Sequence, residues 1–326
     1  MSSAENPVDP LLSQKVVNKN AGTPSVSGDQ NLMDGTVTNG GIVIQGSDAR
    51  VEIVQNFITN NSPTEKNDFE NSNAFEKINI QYFEPETIFI PSGPFWMGSE
   101  ERDGIPSHEM PQHEVLLAAY RIGKYPVTNI QYEEFINQSG RQVTSSMGWN
   151  GQRVPPGYES HPVAGVTWYD ALAYCQWLGE KTGRNYLLPN EAQWEKACRG
   201  ENKNFYPWGD EFDADLCNQG RTNISPVDAY PAQNEYGCFD LVGNIRQWTC
   251  TLWGEKRLAP DPKFAYPWKE DRRNDINASR QVRRVVRGSS MKDDIALLRC
   301  TVRSGENPDD AGLPGARHGF RVVMSI

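Results

Sequence analysis

No run of about 18 apolar residues occurs anywhere in the chain, which excludes a membrane-spanning helix, and the first residues lack the basic-then-apolar pattern of a leader. A soluble, cytoplasmic protein without membrane insertion is therefore expected. Histidine is scarce: His108, His113, His161 and His318 are the only four, and no two stand at metal-ligand spacing. None of the six cysteines forms a Cys-x-x-Cys pair, which argues against zinc-ribbon and thioredoxin-like chemistry and leaves most of them as buried thiols acting as small hydrophobes. Basic residues are outnumbered 32 to 42, giving a formal charge of −10, so bulk binding to nucleic acid or an anionic membrane is disfavoured. No Ser-His-Asp order, phosphate-cradling glycine loop or Walker pattern is present.

What the chain does have is rings. Hydrophobic residues reach only 37%, but nine Trp, twelve Tyr and twelve Phe point to a core of large aromatics, as suits an irregular, loop-rich fold. At 326 residues there is room for one large domain or two ordinary ones. One local departure from the acidic balance is the group Arg272, Arg273, Arg280, Arg283, Arg284 and Arg287, which reads as a solvated loop or strand paired with the acidic remainder.

Residues 1–30 are rich in Ser, Asn, Asp and Pro without hydrophobic period and are expected to be flexible. Within 31–60, short β-branched runs at 35–46 and 49–55 are broken by Gly, Asn and Asp, the pattern of a small strand pair. Such a unit is marginal alone in water. It is expected to contact the main domain, a second copy of itself or an effector protein. Residues 61–82 are a linker by composition, and 83–326 form the main domain. In that domain Thr128 and Thr167 can cap helices over 129–137 and 168–182, with Gly183 past the second, and Asn190 can cap a helix over 191–198. The remainder is expected to be short strands and loops.

Residues 84–323 carry ordered blocks. They include Ile88 to Gly98 (ending Pro-Ser-Gly-Pro-Phe-Trp-Met-Gly), Leu188-Pro-Asn-Glu-Ala-Gln-Trp-Glu195, Tyr236-Gly-Cys-Phe-Asp-Leu-Val-Gly-Asn-Ile-Arg-Gln-Trp248 and His318-Gly-Phe-Arg-Val-Val323. In this series the chain resembles the formylglycine-generating-enzyme (sulfatase-modifying factor) family, an α+β, loop-rich, C-type-lectin-like fold. Within the blocks, Trp194, Trp208 and Trp248 are expected to pack and Arg321 to pair with a buried carboxylate. Catalytic members of that family carry two cysteines after the Gly-Gly-Ser turn, where thiolates bind copper. Here 288–299 contains none, and no catalytic residue is assigned. The resemblance instead implies that Cys198 and Cys300 lie close together. The iron-dependent sulfoxide synthases, the other enzymatic branch, need a histidine-rich site that this chain lacks. Neither copper nor iron is expected.

The same resemblance implies a structural calcium held by Asp240, the carbonyls of Gly243 and Ile245, and Gln247 in place of a family Glu. It also extends to the variable proteins of diversity-generating retroelements, which display a ligand-binding face on the C-terminal segment. On this chain that face would comprise Met291, Lys292, Asp293, Asp294, Ile295, Ala296 and Leu297, then Val302, Ser304, Gly305 and Glu306, then Arg317 and His318. The function expected is non-catalytic recognition of a protein or other macromolecule through 288–318, as a diversified variable protein or as a sensor in a bacterial defence or signalling system. The alternative is an oxidoreductase of the formylglycine-generating or sulfoxide-synthase type with an atypical active site.

Overall fold

In the computed structural model, the protein is described for residues 82–313 and 316–326. The strand pair expected at 31–60 and nearly all of the linker lie outside the described residues. In chain order the elements are β1 (Thr87–Ile90), β2 (Gly93–Met97), β3 (His113–Leu117), β4 (Tyr120–Gly123), α1 (Asn129–Ser139), α2 (Trp168–Thr182), β5 (Tyr186–Leu187), α3 (Glu191–Arg199), β6 (Arg246–Gly254), β7 (Arg283–Arg287), β8 (Arg303–Glu306), β9 (Gly312–Leu313), β10 (Ala316–Phe320) and β11 (Val323–Ser325). Three short helices among many short strands make the described domain α+β and loop-rich.

All three helices begin where their caps dictate. Thr128, Thr167 and Asn190 each form a reciprocal capping box with the residue three positions on, Gln131, Asp170 and Gln193, which satisfies backbone donors that helix geometry leaves free. Gly183 ends α2 in the left-handed region at φ 70°, where a side chain would be strained.

The strands form a four-stranded sheet in the order β1-β4-β11-β5, a five-stranded sheet in the order β8-β7-β6-β10-β9, and the β2–β3 hairpin. Among the described strands only β6 and β10 pair in parallel, His318 opposite Arg246 and Phe320 opposite Trp248. Two clusters of rings pack against these sheets. One gathers Tyr132, Phe135, Trp168, Tyr174, Trp177, Trp248 and Phe320 around α1 and α2; the other collects Phe95, Tyr120, Trp194, Tyr266 and Trp268 around α3. Trp248 is fully buried, and its indole N–H donates to the Val166 carbonyl at 3.0 Å, so the ring contributes both area and a satisfied polar group.

The arginine-rich stretch departs from its expected place in solvent. Arg272 and Arg280 are exposed, but Arg273, Arg284 and Arg287 are buried. Glu195 of α3 accepts from Arg287, from Arg199 at 3.0 Å and from the Gly98 amide at 2.8 Å. Glu191, one turn earlier, takes Arg303 at 2.7 Å, and Glu109 takes Arg299 at 2.6 Å and Thr301 at 2.6 Å. Three buried carboxylates thus tie β7, β8 and the intervening loop to α3 and to the 3-10 turn at Ser107–Glu109, each charge paired and hydrogen-bonded as burial requires. Arg284 has no carboxylate partner among the described residues. It donates to the carbonyls of Cys250 and Asp275 and lies 4.0 Å over the Trp168 ring, and burial pushes its pKa down to about 10.

Arg321 also differs from expectation. Rather than pairing with a carboxylate, its guanidinium donates to Gln247 Oε1 at 2.6 Å and to the carbonyls of Gly123, Phe239 and Asp240 at 2.9, 2.7 and 3.1 Å. Backbone oxygens supply the acceptors that a single carboxylate would have given.

Candidate functional site

The segment after β7 leaves the buried sheet at Gly288 and returns at β8. Lys292, Asp294, Ile295, Ala296 and Leu297 are exposed, with Ile295 and Leu297 on a 3-10 turn that Asp294 caps by accepting from the Ala296 amide at 2.9 Å. Such a turn presents two aliphatic side chains, a lysine and a carboxylate from a rigid base, the arrangement of a loop-borne contact surface.

The other residues assigned to this face divide between walls and core. Met291 is buried, and Gly305 is packed so closely on Trp253 that a Cβ there would lie 2.1 Å from the ring. Gly305 is therefore a spacer between β8 and an indole, and neither residue is free to touch a ligand. Val302 and Ser304 are half-buried. Asp293 is turned inward to Arg246, Nε to Oδ2 at 2.9 Å and Nη2 to Oδ1 at 2.6 Å, and also accepts from the Ser290 amide at 2.7 Å. Burial opposes its ionisation, yet these bonds and the Arg246 charge hold its carboxyl below the usual range. Arg317 is half-buried beside Met147.

Glu306 and His318 are buried in the wall of a cavity of about 350 Å³ beside the strip, lined also by Arg246, Arg257, Arg283 and Asp310. Burial, and then the Arg246 charge, push His318 down to about 4, which leaves the imidazole neutral, edge-on to Trp248 at 4.7 Å between ring centres. The three cavity arginines carry no signal in the sequence that joins them: Arg246 opens β6, Arg257 follows that strand, and Arg283 opens β7.

Just after Gly288, Ser289 and Ser290 are buried, and the Ser289 hydroxyl accepts from the Gly243 amide at 2.9 Å. Cys300 is fully buried in the same core cluster as Cys198, both as free thiols. Burial, then Cys300, push the Cys198 thiol up, so it is poorly ionised and poorly nucleophilic.

Two of the calcium ligands implied by resemblance, Asp240 and Gln247, are hydrogen-bonded to protein donors. The side-chain oxygen of Gln247 accepts from Trp194 at 3.0 Å and from Arg321 at 2.6 Å, and its amide donates to the Asp240 carbonyl at 2.5 Å. The Asp240 carboxylate accepts from Asn244 at 2.8 Å, and burial raises it to about 7. Gly243 and Ile245 lie on the same turn, where the Gly243 amide faces Ser289. The Arg321 guanidinium thus already occupies one of the oxygens that a calcium would need, Gln247 Oε1. Among the described residues, no group of three His, Cys, Asp or Glu side chains could hold a metal, and no helix is long and apolar enough to cross a membrane.

Fold and site together define a loop-rich α+β domain of the formylglycine-generating-enzyme type, its C-terminal segment carrying an exposed strip beside a charged cavity. The chain belongs to the sulfatase-modifying factor enzyme 1-like domain family, whose model matches residues 73–326. It is 34% identical over 274 residues to the serine/threonine-protein kinase pkn1 of Chlamydia caviae, covering 77% of this chain and 40% of that protein. This chain thus spans less than half the length of that relative. It is 30% identical over 282 residues to the inactive C-alpha-formylglycine-generating enzyme 2 of Bos taurus, covering 69% of this chain and 84% of that one. Among solved structures, Treponema denticola variable protein 1 shares the fold with a TM-score of 0.56 at 20% identity, over 74% of this chain and 95% of its own.

Proposed function

We propose that this chain is a non-catalytic recognition member of its family, and that the exposed strip 292–297 and the cavity beside it form its binding face. The observation that carries the proposal is the replacement of reactive sulfur by display. No cysteine occupies 288–299, Cys300 is fully buried in the core cluster that holds Cys198, and the exposed residues of the segment mix Lys292 and Asp294 with Ile295 and Leu297. Mixed apolar and charged side chains on a fixed scaffold suit specific macromolecular contact. A relative named as inactive and a variable protein of the same fold are consistent with this use of the scaffold. Under the same proposal the chain is a bacterial, cytoplasmic protein, and residues 31–60 recruit a second copy or an effector.

The test is affinity capture with the full chain against products of neighbouring genes, wild type beside a Lys292→Ala, Asp294→Ala, Ile295→Ala, Leu297→Ala variant. Capture lost in the variant with an unchanged melting temperature supports the face. Capture retained by the variant would overturn it. So would oxygen-dependent conversion of a cysteine-containing sulfatase-type peptide by the wild type that disappears in Cys300→Ser.

A further inference from the structure

The cavity beside the strip holds charges that the fold leaves uncommitted. Glu306, the last residue of β8, is 8% exposed. Among the described residues its carboxylate accepts no hydrogen bond, and its nearest cation is Arg257 Nε at 3.9 Å. Among the described residues, Arg283 donates only to the Glu255 carbonyl, at 3.3 Å, and Arg257 has no partner closer than Glu306. Arg246 differs, being held by Asp293 through Nε and Nη2, and His318 in the wall is neutral. Two guanidiniums with donors to spare therefore face the same cavity as one largely buried carboxylate that accepts no hydrogen bond among the described residues.

A cationic ligand would meet Arg257 and Arg283 at the mouth. A phosphate would set two negative charges against buried Glu306. A carboxyl group avoids both conflicts, because its planar oxygens match the guanidinium fork and two carboxyls can share one proton. We propose that this cavity binds a carboxylate-bearing ligand, clamped by Arg257 and Arg283, whose acid group shares a single proton with Glu306. The inference deepens the recognition reading and rests on its face; the carboxylate belongs either to a small organic acid or to an acidic side chain of a partner. A volume of about 350 Å³ admits either, at the small end of ligand cavities.

The charges facing Glu306 favour proton sharing. Burial raises its pKa, Arg257, Arg246 and Arg283 oppose that rise, and Asp310 adds to it, while Asp293 neutralises Arg246. Binding should therefore take up a proton and weaken as pH rises.

Calorimetric titration of the full chain with citrate, with an acetylated and amidated Glu-Asp-Glu peptide, and with inorganic phosphate tests this. Citrate or the peptide should bind about tenfold more tightly near pH 5.5 than near pH 7.5, with proton uptake revealed by the buffer dependence of the heat. Citrate alone points to the organic acid, and the peptide to the acidic side chain. Phosphate should bind more weakly than either. The Arg257→Ala, Arg283→Ala double variant should lose about tenfold or more in affinity, and Glu306→Gln should bind without pH dependence, both with melting temperatures near wild type. No carboxylate binding, pH-independent binding by wild type, or binding unaffected by the double variant would overturn the proposal. Carboxylate binding without any captured partner would instead count against the recognition reading alone, and a captured partner without carboxylate binding against this inference alone.

Discussion

Asp293 grips Arg246 at two points, with Oδ2 2.9 Å from Nε and Oδ1 2.6 Å from Nη2, and so fastens the loop after Gly288 to the first residue of β6. Its side chain is only 10% exposed. The sequence places Asp293 with Lys292 and Asp294 as surface charge, and the structure separates it from them. Asp293→Ala should therefore cost about 2–3 kcal/mol, because it leaves a part-buried guanidinium without its partner. Lys292→Ala should stay within about 0.5 kcal/mol, and Asp294→Ala, losing one local cap, should cost about 1 kcal/mol or less. Urea denaturation of the three variants checks the order, and equal costs would mean that the bidentate pair contributes nothing.

Glu195 sits where α3 meets β7 and takes Arg287, Arg199 and the Gly98 amide together. Glu195→Ala should destabilise by about 3–5 kcal/mol, chiefly because Arg287 is left charged and buried. Removing both charges in Glu195→Met, Arg287→Met should recover part of that loss. A double variant less stable than Glu195→Ala alone would show that shape, rather than the stranded charge, sets the cost.

Acid should weaken the domain through two named groups. His318 falls from 6.5 to about 4 on folding, so between those values the unfolded chain binds the proton and the folded chain does not; stability declines as pH drops across that window. For a fully buried group the loss approaches about 3 kcal/mol. Asp293, held below its ordinary value, adds a loss at lower pH, as it becomes protonated and releases Arg246. His318→Phe should flatten the upper part of the acid limb and Asp293→Asn the lower. An acid limb unchanged in both variants would assign it to other groups.

The helices were legible because their signals are local: a cap, an apolar stripe and a closing glycine lie within one segment, and α2 runs over the span its sequence marks. The arginines were not, because their partners are remote. Arg299 meets Glu109 across 190 positions and Arg287 meets Glu195 across 92, and nothing within 272–287 distinguishes the three buried guanidiniums from the exposed ones. The exposure of the segment after Gly288 was legible in part for a related reason. The loop 292–297 reads as surface by composition. β8 is only four residues long and includes Gly305, so its alternation is too short to show that Glu306 points into a cavity and that Gly305 lies against Trp253. The cavity arginines come from β6, the loop after it and β7, and become neighbours only when the five-stranded sheet forms.

Gln247 is the residue on which the calcium question turns. Resemblance makes it a weakened cation ligand, the neutral remnant of a carboxylate. In the folded protein its oxygen receives two donors, Trp194 Nε1 at 3.0 Å and Arg321 Nε at 2.6 Å, while its nitrogen donates to the Asp240 carbonyl. A calcium entering there would have to displace both donors and approach a guanidinium that is itself buried, a like-charge contact in a poorly screened interior. The melting temperature should therefore be the same in calcium and in chelator. Gln247→Ala should cost about 2–4 kcal/mol in both, because it strands the Trp194 and Arg321 donors. Calcium-dependent stabilisation of the wild type that disappears in Asp240→Ala would show that the ion does displace Arg321 and that the amide is a ligand after all.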